Sequence, residues 1–170
     1  MRAQFLLIPA ALVMAAPAGA TIFMSQSQAQ ALLFPGATFT EQFVRLSNSQ
    51  AEGIAEDARV PVYDYQVKAW RVSGAAGGWF ILDQVQGKDD TITYAVALDD
   101  TGAVRGIEIL ECLADYNAVT MPEWRAQFIG QRAGERRYVP TISGSTLSSR
   151  HITDGVRRVL VTYNEALKNL

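Results

Sequence analysis

The 170-residue chain has one cysteine and one histidine, and it lacks any marked excess of charge of either sign. A lone cysteine, Cys112, cannot close an internal disulfide. With His151 as the sole imidazole and no second thiol at ligand spacing, neither a structural zinc site nor a two-histidine metal site is expected. Lys and Arg number 15 against 17 Asp and Glu, a formal net charge of −2, which argues against nucleic acid as a partner. The basic pairs Arg136-Arg137 and Arg157-Arg158 are short and sit in mixed sequence, so they read as solvated surface. Repeats and low-complexity tracts are absent too, and the length suits a single hydrophobic core.

Charge is scarcest at the amino end. Residues 1–24 carry only Arg2, followed by the apolar run from Phe5 to Ala16 and the small-residue triplet Ala18-Gly19-Ala20. This order is that of a secretory signal peptide, with cleavage before Thr21. The alternative is a retained membrane anchor, because about twenty apolar residues can span a bilayer. Pro9, Pro17 and Gly19 favour cleavage. In either case the remainder, 21–170, is expected as a single exported domain, periplasmic or otherwise outside the cytoplasm. Removing 1–20 takes one Arg from the 15 basic residues and no acid from the 17, leaving a net charge of −3. A thiol exported to an oxidising compartment is best buried, and Cys112 is expected in the core.

Ser25 begins a run of good helix formers that ends at Phe34, before Pro35-Gly36, and this predicts a short capped helix. A strand over 37–46 and a short helix over 50–58 follow. The clearest β pattern comes next: Gln66–Val72, Trp79–Gln86, Ile92–Asp99 and Val104–Leu110, separated by turn-forming clusters too short for crossover helices. Neighbouring strands should pair antiparallel as a meander. Residue pairs two apart, such as Tyr94/Val96/Leu98 and Ile107/Ile109, mark one half-buried face that helices must cover. Trp70 and Trp79 are expected to pack on the sheet. A short helix is expected over 122–128. Ile152, Val156, Val159, Leu160, Tyr163 and Leu167 recur at three- and four-residue spacing, the stripe of a long C-terminal amphipathic helix. The fold class is therefore α+β.

The segment with the most chemistry is Thr141-Ile-Ser-Gly-Ser-Thr-Leu-Ser-Ser149, a hydroxyl-dense turn that leads into this helix. A helix start leaves backbone N–H groups unpaired and partly positive, and Gly144 allows close approach, a combination suited to phosphate. An ordinary capping turn, with Ser148 or Ser149 as N-cap, explains the same residues. Ser148, His151 and Asp154 carry the residue types of a hydrolytic triad, but three-residue steps along one helix face do not make the nucleophile-base-orienter geometry. No catalytic residue is assigned, and His151 reads as a helix-surface residue.

The stretch from Ile142 to Val159 resembles the signature of the FMN-binding domain family, which includes the covalent-flavin subunits of sodium-pumping quinone reductases and ion-pumping ferredoxin oxidoreductases. That signature is Asp-x-x-Ser/Thr-Gly-Ala-Thr/Ser followed by a helix. The likeness extends to Trp124-Arg-Ala-Gln-Phe128, to the strands from Tyr94 to Ile109, and to Leu33-Phe-Pro-Gly-Ala37. It implies FMN as cofactor, held by Ser143, Gly144, Ser145, Thr146, Leu147 and Ser148, with Tyr116, Asn117 and Trp124 beside it. Thr146 stands at the position that a flavin transferase esterifies to the FMN phosphate. The resemblance further implies electron transfer to or from a membrane redox protein, in a carrier rather than a stand-alone enzyme. Pro140 stands where the signature has Asp, and Ser145 where it has Ala. The alternative these departures leave open is a family member without flavin, serving as a structural or interaction subunit.

Overall fold

A computed structural model describes residues 21–74, 76–88, 90–112 and 118–170. The signal-peptide expectation for residues 1–20 falls outside the described residues, as do Tyr116 and Asn117. Six strands, β1 (Thr21–Ile22), β2 (Thr38–Arg45), β3 (Gln66–Ser73), β4 (Gly78–Gln86), β5 (Thr91–Leu98) and β6 (Val104–Cys112), form one sheet. Its order is β1-β6-β5-β4-β3-β2, antiparallel throughout. The four central strands are the predicted meander. Strand β2 extends it at one edge, and β1, which the sequence pattern does not announce, pairs Thr21 with Cys112 at the other.

Among the described residues four α-helices accompany the sheet: α1 (Gln26–Leu33), α2 (Asn48–Ala58), α3 (Pro122–Arg125) and α4 (Thr146–Thr162), the last running on into a wider turn over Tyr163–Leu167. Helices α1 and α2 start alike. Ser25 and Ser47 each accept the N–H three residues on, while Gln28 and Gln50 reach back to the cap's own N–H. Each reciprocal pair satisfies two donors that a helix start would otherwise strand, which explains why such short, weakly apolar segments hold a helical form.

The expectation of one covered face needs correction, because both faces of the sheet are buried. Side chains alternate across the pleat, so Tyr94, Val96 and Leu98 face one way and Ala95 and Ala97 the other. The first set packs with Ile107, Ile109, Ile152, Val156 and Leu160 under α4. The second set, with Phe80, Val72 and Leu110, packs on Ala29, Leu33 and Phe34 of α1 and its end. Alanines at 95 and 97 leave the space that the α1 side chains fill. Helix α2 closes a third cluster with Leu46, Ile54 and Val161. Cys112 is buried, and so is Trp79, while Trp70 meets Phe80 edge-on at 5.7 Å. Among the described residues no helix is long and apolar enough to cross a membrane.

Candidate functional site

The hydroxyl-dense segment forms a tight turn that delivers the chain into α4. Ser145 N–H donates to Ile142 O at 3.0 Å, closing a β-turn in which Gly144, at φ +83°, occupies the third position. Positive φ there is the requirement of a type II turn, met readily by glycine. A side chain at residue 144 would meet nothing within 4 Å, so the glycine serves backbone conformation and not space.

Helix α4 begins at Thr146 with Ser145 as its N-cap, which corrects the capping reading that assigned Ser148 or Ser149. The cap carbonyl must accept the first intrahelical bond, and Ser145 O does so from Ser149 N–H at 3.0 Å. Ser149 instead knits the turn to the helix. Its hydroxyl accepts Ile142 N–H at 3.2 Å and donates to Ser145 O at 2.8 Å. No side chain caps the helix, so the first-turn N–H groups of Thr146, Leu147 and Ser148 have no intrahelical partner.

A cavity of about 220 Å³ opens here, lined by Gly144, Ser145, Thr146, Leu147, Ser148 and Lys88. Ser148 Oγ is buried and has no hydrogen-bond partner. Leaving a buried hydroxyl unpaired costs about 1–3 kcal/mol, an expense that a bound acceptor would relieve. Thr146 is exposed, and its hydroxyl donates to Ile142 O at 3.3 Å, which turns its oxygen lone pairs away from the backbone. Ser143 is exposed in the same turn. Positive helix-end potential, free amides, an orphan hydroxyl and a lysine at the rim together fit a phosphate group. The amides of residues 146–148, the Ser148 hydroxyl and Lys88 would be the groups that hold the phosphate end of FMN.

Lys88 was not legible from the sequence, because it belongs to the β4–β5 turn. Only tertiary contact brings that turn to α4: His151 Nδ1 lies 2.5 Å from Gln86 O, tying the end of β4 to the second turn of the helix. His151 is therefore half-buried and engaged, and does not lie free on the helix surface. The triad residue types are not brought together. Ser148 Oγ is unpartnered, His151 meets a carbonyl, and Asp154 pairs with Arg157.

Trp124 stands apart from the cavity lining. It is buried, packs edge-on against Phe128 at 5.1 Å, and its indole N–H donates to Pro140 O at 2.9 Å. Trp124 thus anchors the strand of chain that enters the 142–145 turn. The position where the signature places Asp is used here through its backbone carbonyl. Arg125 helps from the same short helix: it donates to Ile107 O at 2.8 Å and Thr120 O at 3.1 Å and pairs with the buried Glu108.

A second polar network lies behind α4. Arg158 donates to Asp83 Oδ2 at 2.7 Å and Gln84 O at 3.1 Å, and Tyr94 O–H donates to the same carboxylate at 2.5 Å. Burial, reinforced by the charge of Asp83, pushes the Tyr94 phenol well above its ordinary range. With a side chain only 12% exposed, Arg158 contradicts the reading of the 157–158 pair as solvated surface.

Residues 87–161 match the model of the FMN-binding domain family, a span that contains β5, β6, the 142–145 turn and nearly all of α4. No curated protein matches the chain.

Proposed function

We propose, for a chain whose residues 87–161 belong to the FMN-binding domain family, that it is an exported electron carrier holding FMN by its phosphate at the start of α4. The observation that carries this reading is the unpartnered, buried Ser148 hydroxyl beside three free helix amides, inside the segment that matches the family. When bound, FMN would supply the capacity to accept and release electrons.

The protein's own part is binding and orientation. Gly144 sets the turn, the amides of Thr146, Leu147 and Ser148 direct positive potential at the phosphate, and Lys88 adds charge at the rim. Thr146 is the proposed covalent acceptor: a flavin transferase would join its Oγ1 to the FMN phosphate as an ester. Exposure of Thr146 suits that role, because the transferase must reach the hydroxyl. The carrier would then pass electrons to or from a membrane redox protein.

Pro140 and Ser145 favour a second reading, a subunit that has lost flavin, since proline removes both the signature carboxylate and a backbone N–H. Co-expression with a flavin transferase in the periplasm, followed by in-gel flavin fluorescence after denaturation, separates the two. A fluorescent band in wild type that is absent in Thr146→Ala supports the covalent carrier. No fluorescence in either, together with no FMN retained by the native protein, refutes flavin binding.

A further inference from the structure

A second cavity, about 340 Å³, lies along the flank of α4 and is distinct from the turn at 142–145. Its lining includes Arg59, Arg136, Arg137, Arg150 and Arg157, against one acid, Asp154. Five of the 15 basic residues of a chain with net charge −2 therefore meet in one cleft. They come from three places: the end of α2, the segment that follows α3, and the α4 face of residues 150, 153, 154 and 157.

Folding spends only part of this charge. Arg157 donates to Asp154 at 3.2 Å and to Ala58 O at 3.4 Å, and so occupies the one carboxylate. Arg137 donates to Ile129 O at 3.0 Å, with Glu135 3.8 Å away. Among the described residues, no hydrogen bond or ion pair engages the side chains of Arg59, Arg136 or Arg150. Guanidinium groups gathered within a Debye length, about 8 Å at physiological salt, repel one another unless an anion lies between them. Their planar forks match two oxygens of a phosphoryl group, a geometry lysine cannot offer. All five cations here are arginine.

We propose that this cleft is a binding site for a phosphoryl anion, carried either by a small soluble molecule or by a phospholipid headgroup. A volume near the lower bound of ordinary ligand cavities, about 300 Å³, suits a phosphorylated group of modest size. Thr141, in the lining of the same cleft, offers a further hydroxyl. The site shares no lining residue with the FMN phosphate cavity, so either assignment can fail alone.

Titration calorimetry with pyrophosphate, at constant ionic strength set by NaCl, tests it in wild type and in Arg59→Gln/Arg136→Gln. Saturable binding that weakens about tenfold for each guanidinium removed is expected, since a charge-assisted hydrogen bond contributes at least that factor. Flotation with phosphatidylglycerol vesicles against phosphatidylcholine vesicles forms the second arm. Pyrophosphate binding without flotation identifies a soluble ligand; flotation on phosphatidylglycerol, lost in the double variant, identifies a headgroup. Arg59→Lys/Arg136→Lys keeps charge and fold and is expected to bind more weakly than wild type. Equal pyrophosphate affinity in wild type and the Gln variant would place the anion elsewhere, and binding of neither probe would remove the site; both results overturn the proposal. Flavin labelling at Thr146 is read separately and does not enter either outcome.

Discussion

Gly155→Ala is the most informative single substitution in the helix that carries the candidate site. Glycine in the middle of a 17-residue helix is costly in itself, and alanine should gain about 1 kcal/mol from helix propensity. The tertiary structure reverses that sign. A Cβ at residue 155 would stand 2.1 Å from Tyr94 Oη and 2.8 Å from Val85 Cγ1, well inside contact distance. Overpacking of this kind costs about 1–3 kcal/mol. Displacing the phenol also breaks its bond to the Asp83 carboxylate, about 1.5–3 kcal/mol for a hydrogen bond to a charged group. The net expectation is a loss of about 1.5–5 kcal/mol, or a fall in Tm of roughly 3–20 °C for a chain of this size. Denaturant unfolding of Gly155→Ala, Tyr94→Phe and the double variant measures it. In the Tyr94→Phe background the phenol oxygen is gone, so Gly155→Ala should cost distinctly less, leaving only the contact with Val85 and the ring. An alanine that is neutral or stabilising in the wild-type background would refute the packing of α4 on β4 and β5 described above.

The raised Tyr94 phenol ties stability to alkaline pH. Above the ordinary tyrosine pKa, about 10, the unfolded chain releases a proton that the folded chain keeps, so this contribution is present below pH 10 and lost as pH rises further. Urea midpoints measured from pH 8 to 11 should fall more steeply for wild type than for Tyr94→Phe. Arg125→Ala leaves Glu108 buried without its cation and should cost about 3–5 kcal/mol by chemical denaturation, whereas an exposed pair such as Arg137 with Glu135 should cost under about 1 kcal/mol. Burial, with Asp90 nearby, pushes the Cys112 thiol up to about 11. It should therefore resist a thiol reagent at pH 8 in the folded protein and react fully in denaturant; fast labelling of native protein would contradict its place in the core. Under the proposed attachment at Thr146, Thr146→Ser should give the fluorescent band that Thr146→Ala loses, read on the same denaturing gel.

The meander and the long helix were legible because their signals are local. Strands β3 to β6 announce themselves by turn residues at their ends, and α4 by six apolar residues at helical spacing. Strand β1 was not legible: two residues have no period, and only pairing with β6 makes Thr21–Ile22 a strand. The burial of both sheet faces was missed for a related reason. Ala95 and Ala97 are too small to signal a core, yet they are buried because α1 lies across them. At the site, Gly144 and the hydroxyls around it could be picked out from their types alone. Lys88 could not, being more than fifty residues away in the chain, and Trp124, expected beside the cofactor, turned out to hold Pro140 in place.

The sequence by itself determined the α+β class, the antiparallel order of the central strands, and the position of a phosphate-suited turn, because each depends on residues within a few places of one another. Tertiary structure alone decided which polar groups are left without partners. Ser148 Oγ, Arg59, Arg136 and Arg150 look no different in sequence from Ser149, Arg157 and Arg158, which the fold engages. Whether a hydroxyl or a guanidinium is satisfied depends on what packs beside it in space, and on that distinction both the candidate flavin phosphate site and the proposed anion cleft rest.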